Sequence, residues 1–405
     1  MKGVRKILFW CHLTAGSVVG IVILTMCATG ILLASQPLVL ALVERPARQP
    51  DARAAASPLG PGTLLRLGAA ASPGGAPTAV TIPADPSEPA TVAFGRESAV
   101  FLDRSTGTVV CRSAPAWRAF FSKVQDLHRW LAVSAEHRDA GRAVTGAANV
   151  AFLGLALSGL FIWWPRLRGI RRVASVGLFA RGLKGKARDF NWHNTLGVWC
   201  AGVIAVITVT ALPMSYRWAN DLVYRVAGGS PQPAPAGGEA RARGERASRD
   251  ARPLSEADAA RLDRLWPAAE RRSPGWKAIT MRAPAGRSAP VAFTIEEGRF
   301  RNRFARSSLA LDPASGAVVQ WEPYAEASAG RRTRSWMRFL HTGEALGVPG
   351  QIAAAASSFG SVLLAITGIS LALRRLASWR ARRRDAIPES SSKEIELARA
   401  KGAMS

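Results

Sequence analysis

Four stretches of the chain are apolar for long enough to cross a bilayer: residues 8–34, 142–164, 194–215 and 351–373. A helix needs about 20 such residues to span the hydrocarbon core, so each is predicted to be a membrane helix. The first follows Lys2, Arg5 and Lys6 and so also begins like a secretory signal. Its apolar run is too long for one, and the residues after Gln36 make a poor cleavage site, so a retained anchor is expected. Between the spans the period changes. Alternating apolar and polar positions predict strands near Ala79–Ile82, Ala90–Phe94, Ser98–Leu102 and Thr108–Cys111. A second set is predicted near Lys277–Arg282, Pro290–Ile295, Phe304–Leu311 and Ala317–Trp321. A helix is expected before each set, near Thr63–Ala70 and from Ser255 to about Trp266, where Ser255 and Asp258 are spaced like a weak capping box. Residues 228–252, and similarly 49–62, are rich in Pro, Gly, Ala and Arg and read as flexible linkers.

The pattern is written twice. HLTAGSVVG from His12 parallels HNTLGVWCAG from His193, with Thr two residues on and Gly four residues on in each case (Thr14 and Gly16; Thr195 and Gly197). Thr29 and Thr210 each follow their histidine by 17 residues. Leu127-His128 and Leu340-His341 open the second and fourth spans, and Gly159-Leu160 parallels Gly368-Ile369. LDRSTGTVV (102–110) parallels LDPASGAVV (311–319). Each half therefore reads as helix, outer α+β module, helix, and duplication is the expected origin. The expected fold class is membrane α+β: a four-helix transmembrane bundle with two α+β modules outside it. The segments are a first membrane helix (1–35), module one (36–116), a short helix with the second span (117–165) and a basic loop (166–189). The third span (190–217), module two with its linker (218–335), the fourth span (336–376) and a basic tail (377–405) follow.

Charge decides orientation rather than partner. The formal net charge of +26 would suggest nucleic acid in a soluble protein. Here much of it sits beside the spans: Arg166, Arg168, Arg171, Arg172, Arg181, Lys184, Lys186 and Arg188 in one loop, and Arg374, Arg375, Arg380, Arg382, Arg383 and Arg384 in the tail. With the N-terminal cluster these fall on one side of a four-span topology, which puts both termini in the cytoplasm of a multi-pass inner-membrane protein. Lipid is the expected surrounding and nucleic acid is not an expected partner. The four cysteines offer no pair outside the membrane and no covalent haem motif, so neither a disulfide framework nor c-type haem is expected.

Four of the five histidines occupy corresponding places in the repeat. Topology pairs His12 with His193 at the cytoplasmic edge and His128 with His341 at the outer edge. Two imidazoles from facing helices are what a bis-histidine b-type haem needs, so two haems b are expected. Gly16 and Gly197 lie one turn from His12 and His193 on the same helix face, leaving room for a porphyrin plate. A polar contact between helices is the other use of a membrane histidine. Zinc is a rival, but no quartet with zinc spacing occurs. Arg129, Arg142 and Arg338 flank the outer pair and could hold propionates or snorkel to the interface. His137 has no counterpart and is expected at the surface; Trp163, Trp164 and Trp218 are expected in the aromatic belt. No catalytic side chain is assigned.

LHRWL (127–131), GR (141–142) and SGLFIWWPR (158–166), with WHNTLGVW (192–199) and LHTGEALGVPG (340–350), resemble the signature blocks of the PepSY-associated transmembrane proteins, which include iron-regulated membrane proteins. The resemblance covers nearly the whole chain. It implies PepSY-like periplasmic modules, two b haems among four helices and His12, His193, His128 and His341 as axial ligands. It also implies an oxidoreductase that reduces a ferric siderophore or another ferric chelate in the periplasm. The linker at 228–252 and the short first module depart from the pattern and leave the substrate open. No flavodoxin-like or NADPH-binding extension is present, so the expected donor is a cytoplasmic flavoprotein or membrane quinol. The competing expectation is a non-enzymatic membrane-anchored regulator or binding protein, for example of proteases, in which the histidines only pack.

Overall fold

The structure, a computed structural model, describes residues 2–44, 58–72, 75–163, 177–229, 254–297 and 305–385. In chain order the first half runs α1 (Lys2–Val43), α2 (Pro61–Ala71), β1 (Ala79–Pro83), β2 (Ala90–Phe94), β3 (Ser98–Leu102), β4 (Val109–Arg112), α3 (Pro115–Trp130) and α4 (Arg138–Trp163). The second runs α5 (Gly185–Ser215), α6 (Arg217–Val226), α7 (Glu256–Asp263), α8 (Trp266–Arg272), β5 (Ala278–Arg282), β6 (Val291–Glu296), β7 (Arg306–Leu311), β8 (Val318–Glu322), α9 (Ala329–His341) and α10 (Gly347–Asp385). Trp164, Arg166, Arg168, Arg171, Arg172, Phe304, most of the 228–252 linker and the tail beyond 385 lie outside the described residues.

The chain divides into two compact units: residues 1–31, 143–209 and 352–405 in one, and 32–142 with 210–351 in the other. The first unit contains most of the four helices that are long and apolar enough to cross a membrane, and the protein is a multi-pass membrane protein. Each helix outruns its apolar stretch. The first span was expected to end at residue 35, but α1 continues to Val43 through Pro37. Proline removes one ladder bond there, and the bonds on either side carry the helix on. Within this unit Asn149 Nδ2 donates to the Thr208 carbonyl (2.9 Å), and Arg5 donates to the Ile162 carbonyl (2.7 Å). Both of these polar side chains find a backbone acceptor inside the unit, as hydrocarbon surroundings require.

The second unit is built on one antiparallel sheet of order β4-β3-β2-β1-β5-β6-β7-β8. Alternation predicts two sets of four strands and leaves their relation open. The structure joins them edge to edge, β1 against β5, with Thr81 opposite Thr280. Strand alternation puts Val80, Ile82, Val92, Ile279, Met281, Ile295 and Leu309 on the buried side, against Leu64 and Leu65 of α2 and Leu262, Leu265 and Trp266 of the second half. Joining the sets removes two exposed edges, which are aggregation liabilities.

The two matching turns have matching geometry. Asp103 and Asp312 each accept the Gly N–H four residues on (2.8 and 2.9 Å). Their carboxylates accept Ser105 N–H and Ser315 N–H, both at 2.7 Å. Gly107 and Gly316 sit at φ 71° and 70°, which glycine adopts without steric cost. A register shift stands at the end of β3 and at the end of β7.

The second expected helix is a little shorter, and a further helix follows it. The pattern from Ser255 to Trp266 suggested a single element, but α7 ends at Asp263 and α8 starts at Trp266. Pro267 explains the break: it has no N–H to donate, and its ring would strike the carbonyl four residues back. Ser255 caps α7 as expected, accepting Asp258 N–H at 3.1 Å.

Candidate functional site

His12 and His193 come together in the membrane unit. Their ring centroids are 6.4 Å apart and the rings stand at 88°. Each ring is held by the next membrane helix of its own half. His12 Nδ1 is 2.9 Å from Ser158 Oγ of α4. His193 Nδ1 is 3.1 Å from the Leu364 carbonyl and 3.1 Å from Thr367 Oγ1 of α10. Bonding at Nδ1 fixes ring orientation and leaves Nε2 as the donor atom toward a ligand, the usual arrangement behind a metal-binding imidazole. Two imidazoles that share one metal ion at about 2.0 Å each have centroids roughly 6 Å apart.

Around the pair is a cavity of about 390 Å³, within the range of small-molecule and cofactor sites. Gly16 and Gly197 line it. The closest fit lies elsewhere. A side chain at Gly159 would stand 3.4 Å from His12 Cε1, and one at Gly368 would stand 3.2 Å from His193 Cε1. At Gly16 and Gly197 the nearest atom would be a leucine methyl at 3.8 Å, ordinary contact. The positions that let the rings lie flat against the next helix are therefore Gly159 and Gly368. Sequence reasoning noted these glycines as repeat markers but gave them no role at the site, and it missed Ser158 and Thr367 altogether. The signal was available: a hydroxyl residue directly precedes the glycine in both halves.

The walls are mostly apolar, from Ile23, Phe152 and Ile204 toward Phe9 and Phe190. Trp163 lines the cavity and is 4% exposed, so it is not the belt residue expected of it; Trp218 is 58% exposed and fits that expectation. Packing against the bundle, which hydropathy alone does not report, decides the difference. Among the described residues no group of three or more His, Cys, Asp or Glu side chains could hold a metal ion, so a closed zinc site has no donor set there.

His128 and His341 lie in the other unit. His128 is in the last turn of α3 and His341 is the last residue of α9. Each helix is followed by a short 3-10 turn, Ala135–His137 or Glu344–Leu346, and then by a membrane helix. Arg129 of α3 feels the charges of Arg142 and Arg338, so the ends of α3, α4 and α9 converge and the three flanking arginines share one neighbourhood. Arg129 also lies over the Trp130 ring at 4.9 Å. His137 is exposed and bonds Ser134 Oγ at 2.9 Å, as a surface residue would.

The family of the PepSY-associated TM region matches residues 9–375. No curated protein matches the chain.

Proposed function

Since the chain belongs to the PepSY-associated transmembrane family, we propose that it is a di-haem electron-transfer protein of the inner membrane that reduces a ferric chelate, such as a ferric siderophore, in the periplasm. Two b-type haems, when bound, supply the one-electron chemistry that crosses the bilayer. The observation that carries the reading is the His12–His193 pair: 6.4 Å between centroids, both Nδ1 atoms tied down, and a cavity between them. That spacing and donor set fit iron held from both sides in a porphyrin. The glycines at the ring edges and the apolar walls fit the plate.

In this reading His12 and His193 hold the cytoplasmic-side group and His128 and His341 the outer one, with both chain termini in the cytoplasm. Ser158, Leu364 and Thr367 orient the inner ligands through Nδ1. The apolar walls exclude water, which keeps charge transfer from being slowed by solvent reorganisation. Arg129, Arg142 and Arg338 gather positive charge beside the outer histidines, suited to propionates or to steering an anionic ferric chelate. The electron donor in this reading is a cytoplasmic flavoprotein or quinol. The sheet is the product of two PepSY-like modules, one per duplicated half, joined at β1 and β5; the matching turns support this.

The test is the spectrum of detergent-purified protein. Dithionite should sharpen a b-type spectrum, and pyridine haemochrome should count about two haems per chain. His193→Ala should retain about one. A colourless protein would point instead to the membrane-anchored regulator, and retention of two haems by the variant would break the assigned pairing.

A further inference from the structure

The cavity around His12 and His193 has a chemical polarity that the histidines do not explain. Two cations, Lys186 and Arg375, are part of its lining, and among the described residues no Asp or Glu is. We propose that Lys186 and Arg375 are the carboxylate-holding end of this cavity, gripping the two propionates of the porphyrin that His12 and His193 ligate. The inference rests on the haem reading above and adds which residues orient the plate and which way it points.

Lys186 precedes His193 by seven residues on α5, and Arg375 follows Gly368, the residue against the His193 ring, by seven on α10. Seven residues are two helical turns, about 10 Å along one face. That is comparable with the reach from a porphyrin centre to the end of a propionate arm. Both cations thus lie on the cavity face and at the same end.

Neighbouring cations already have partners. Arg188 and Arg374 pair with Asp189, at 2.8 and 3.6 Å. Arg5 holds the position in the first half that Lys186 holds in the second, seven residues before its histidine. It donates to the Ile162 carbonyl instead. Among the described residues Lys186 and Arg375 have no carboxylate partner. Among the described residues two cations therefore stand without a carboxylate at the rim of an otherwise mostly apolar cavity, and a ligand with an apolar body and two carboxylates matches them in number and place.

The Arg375 guanidinium lies 5.1 Å from the Phe9 ring centroid and 4.8 Å from that of Trp10. Stacking of that kind fixes the planar fork and leaves its donors for a carboxylate. Trp163 lines the same cavity, and its Nε1 is buried with no hydrogen-bond partner among the described residues. It is a further donor for an oxygen acceptor.

An anionic lipid headgroup offers the same oxygens, so the experiment separates the two. Full-length apoprotein in neutral detergent is titrated with protohaem and with its dimethyl ester. The His193-dependent component is isolated by subtracting His193→Ala. Wild type should prefer the free acid by about tenfold, the worth of a charge-assisted hydrogen bond. Lys186→Gln with Arg375→Gln should bind both forms equally, with a lowered midpoint potential because the carboxylates lose their counter-charge. Lys186→Arg with Arg375→Lys should restore the preference, which shows that the charges and not the fold are responsible. A double Gln variant that still prefers the free acid by the wild-type ratio overturns the inference while leaving the histidine ligands intact. A preference that vanishes when phosphatidylglycerol is added to wild type assigns the cations to lipid and also overturns it. Absence of any His193-dependent binding of either form defeats the haem reading itself.

Discussion

The side chains that matter most at the inner site are those that hold a ring rather than bear a charge. Gly368 faces the His193 ring at a distance where even a methyl would stand 3.2 Å from Cε1, tighter than ordinary contact. A leucine there must displace the imidazole, so Gly368→Leu should lose the His193-dependent haem while leaving the outer one; pyridine haemochrome reads this as a fall of about half. Thr367→Ala should be milder. It removes one of two acceptors at Nδ1, but the Leu364 carbonyl remains, so content should hold while the midpoint potential shifts. The histidines themselves were legible in the sequence because the repeat sets them out twice. Their partners were less so, since Ser158 and Thr367 are ordinary helix residues until the bundle turns them toward a ring. Trp163 was misread for the same reason: a tryptophan at the end of an apolar run looks alike whether it faces lipid or a cavity.

Elements were legible where one period governs them. The spans and all eight strands follow from runs of apolar residues or from alternation; the strand ends fall within a few residues of the observed ones, whereas the helices run well past their apolar stretches. Long-range contacts were not legible. Asp263, at the end of α7, accepts Gly62 N–H at 2.6 Å and the Thr63 hydroxyl at 2.6 Å. It therefore caps α2 from 200 residues away, and no local pattern in either half announces that. The lost cap should cost about 1–2 kcal/mol, so Asp263→Ala should lower the denaturation midpoint of the full chain in detergent without altering haem content. Glu44 has a similar role. Its carboxylate takes Arg118 Nε at 2.5 Å and Nη2 at 2.7 Å, and its side chain is 7% exposed. Removing one partner of such a pair leaves an uncompensated charge, at about 3–5 kcal/mol if fully buried. Arg118 is partly exposed, so Glu44→Leu should cost less than that, visible as a lower melting temperature.

At the scale of the molecule, the doubled pattern organises everything that carries chemistry. Each half supplies one histidine to the inner pair, one helix whose glycine fits against that ring, four strands of a common sheet and one histidine at a helix end outside the membrane unit. Membership of the PepSY-associated transmembrane family covers the same extent as this pattern. Cofactor, donor and chelate are the proposed part, and they stand or fall on whether one iron is held by imidazoles from both halves. Electron paramagnetic resonance of the oxidised protein at low temperature tests that most directly. Rings at 88° give a low-spin ferric centre a strongly anisotropic signal, whereas parallel rings give a rhombic one. The account predicts such a signal in wild type and its loss, as a low-spin species, in both His12→Ala and His193→Ala, with the outer signal kept in each. Survival of that signal in either variant, or a wild-type protein with no low-spin ferric signal, would contradict it.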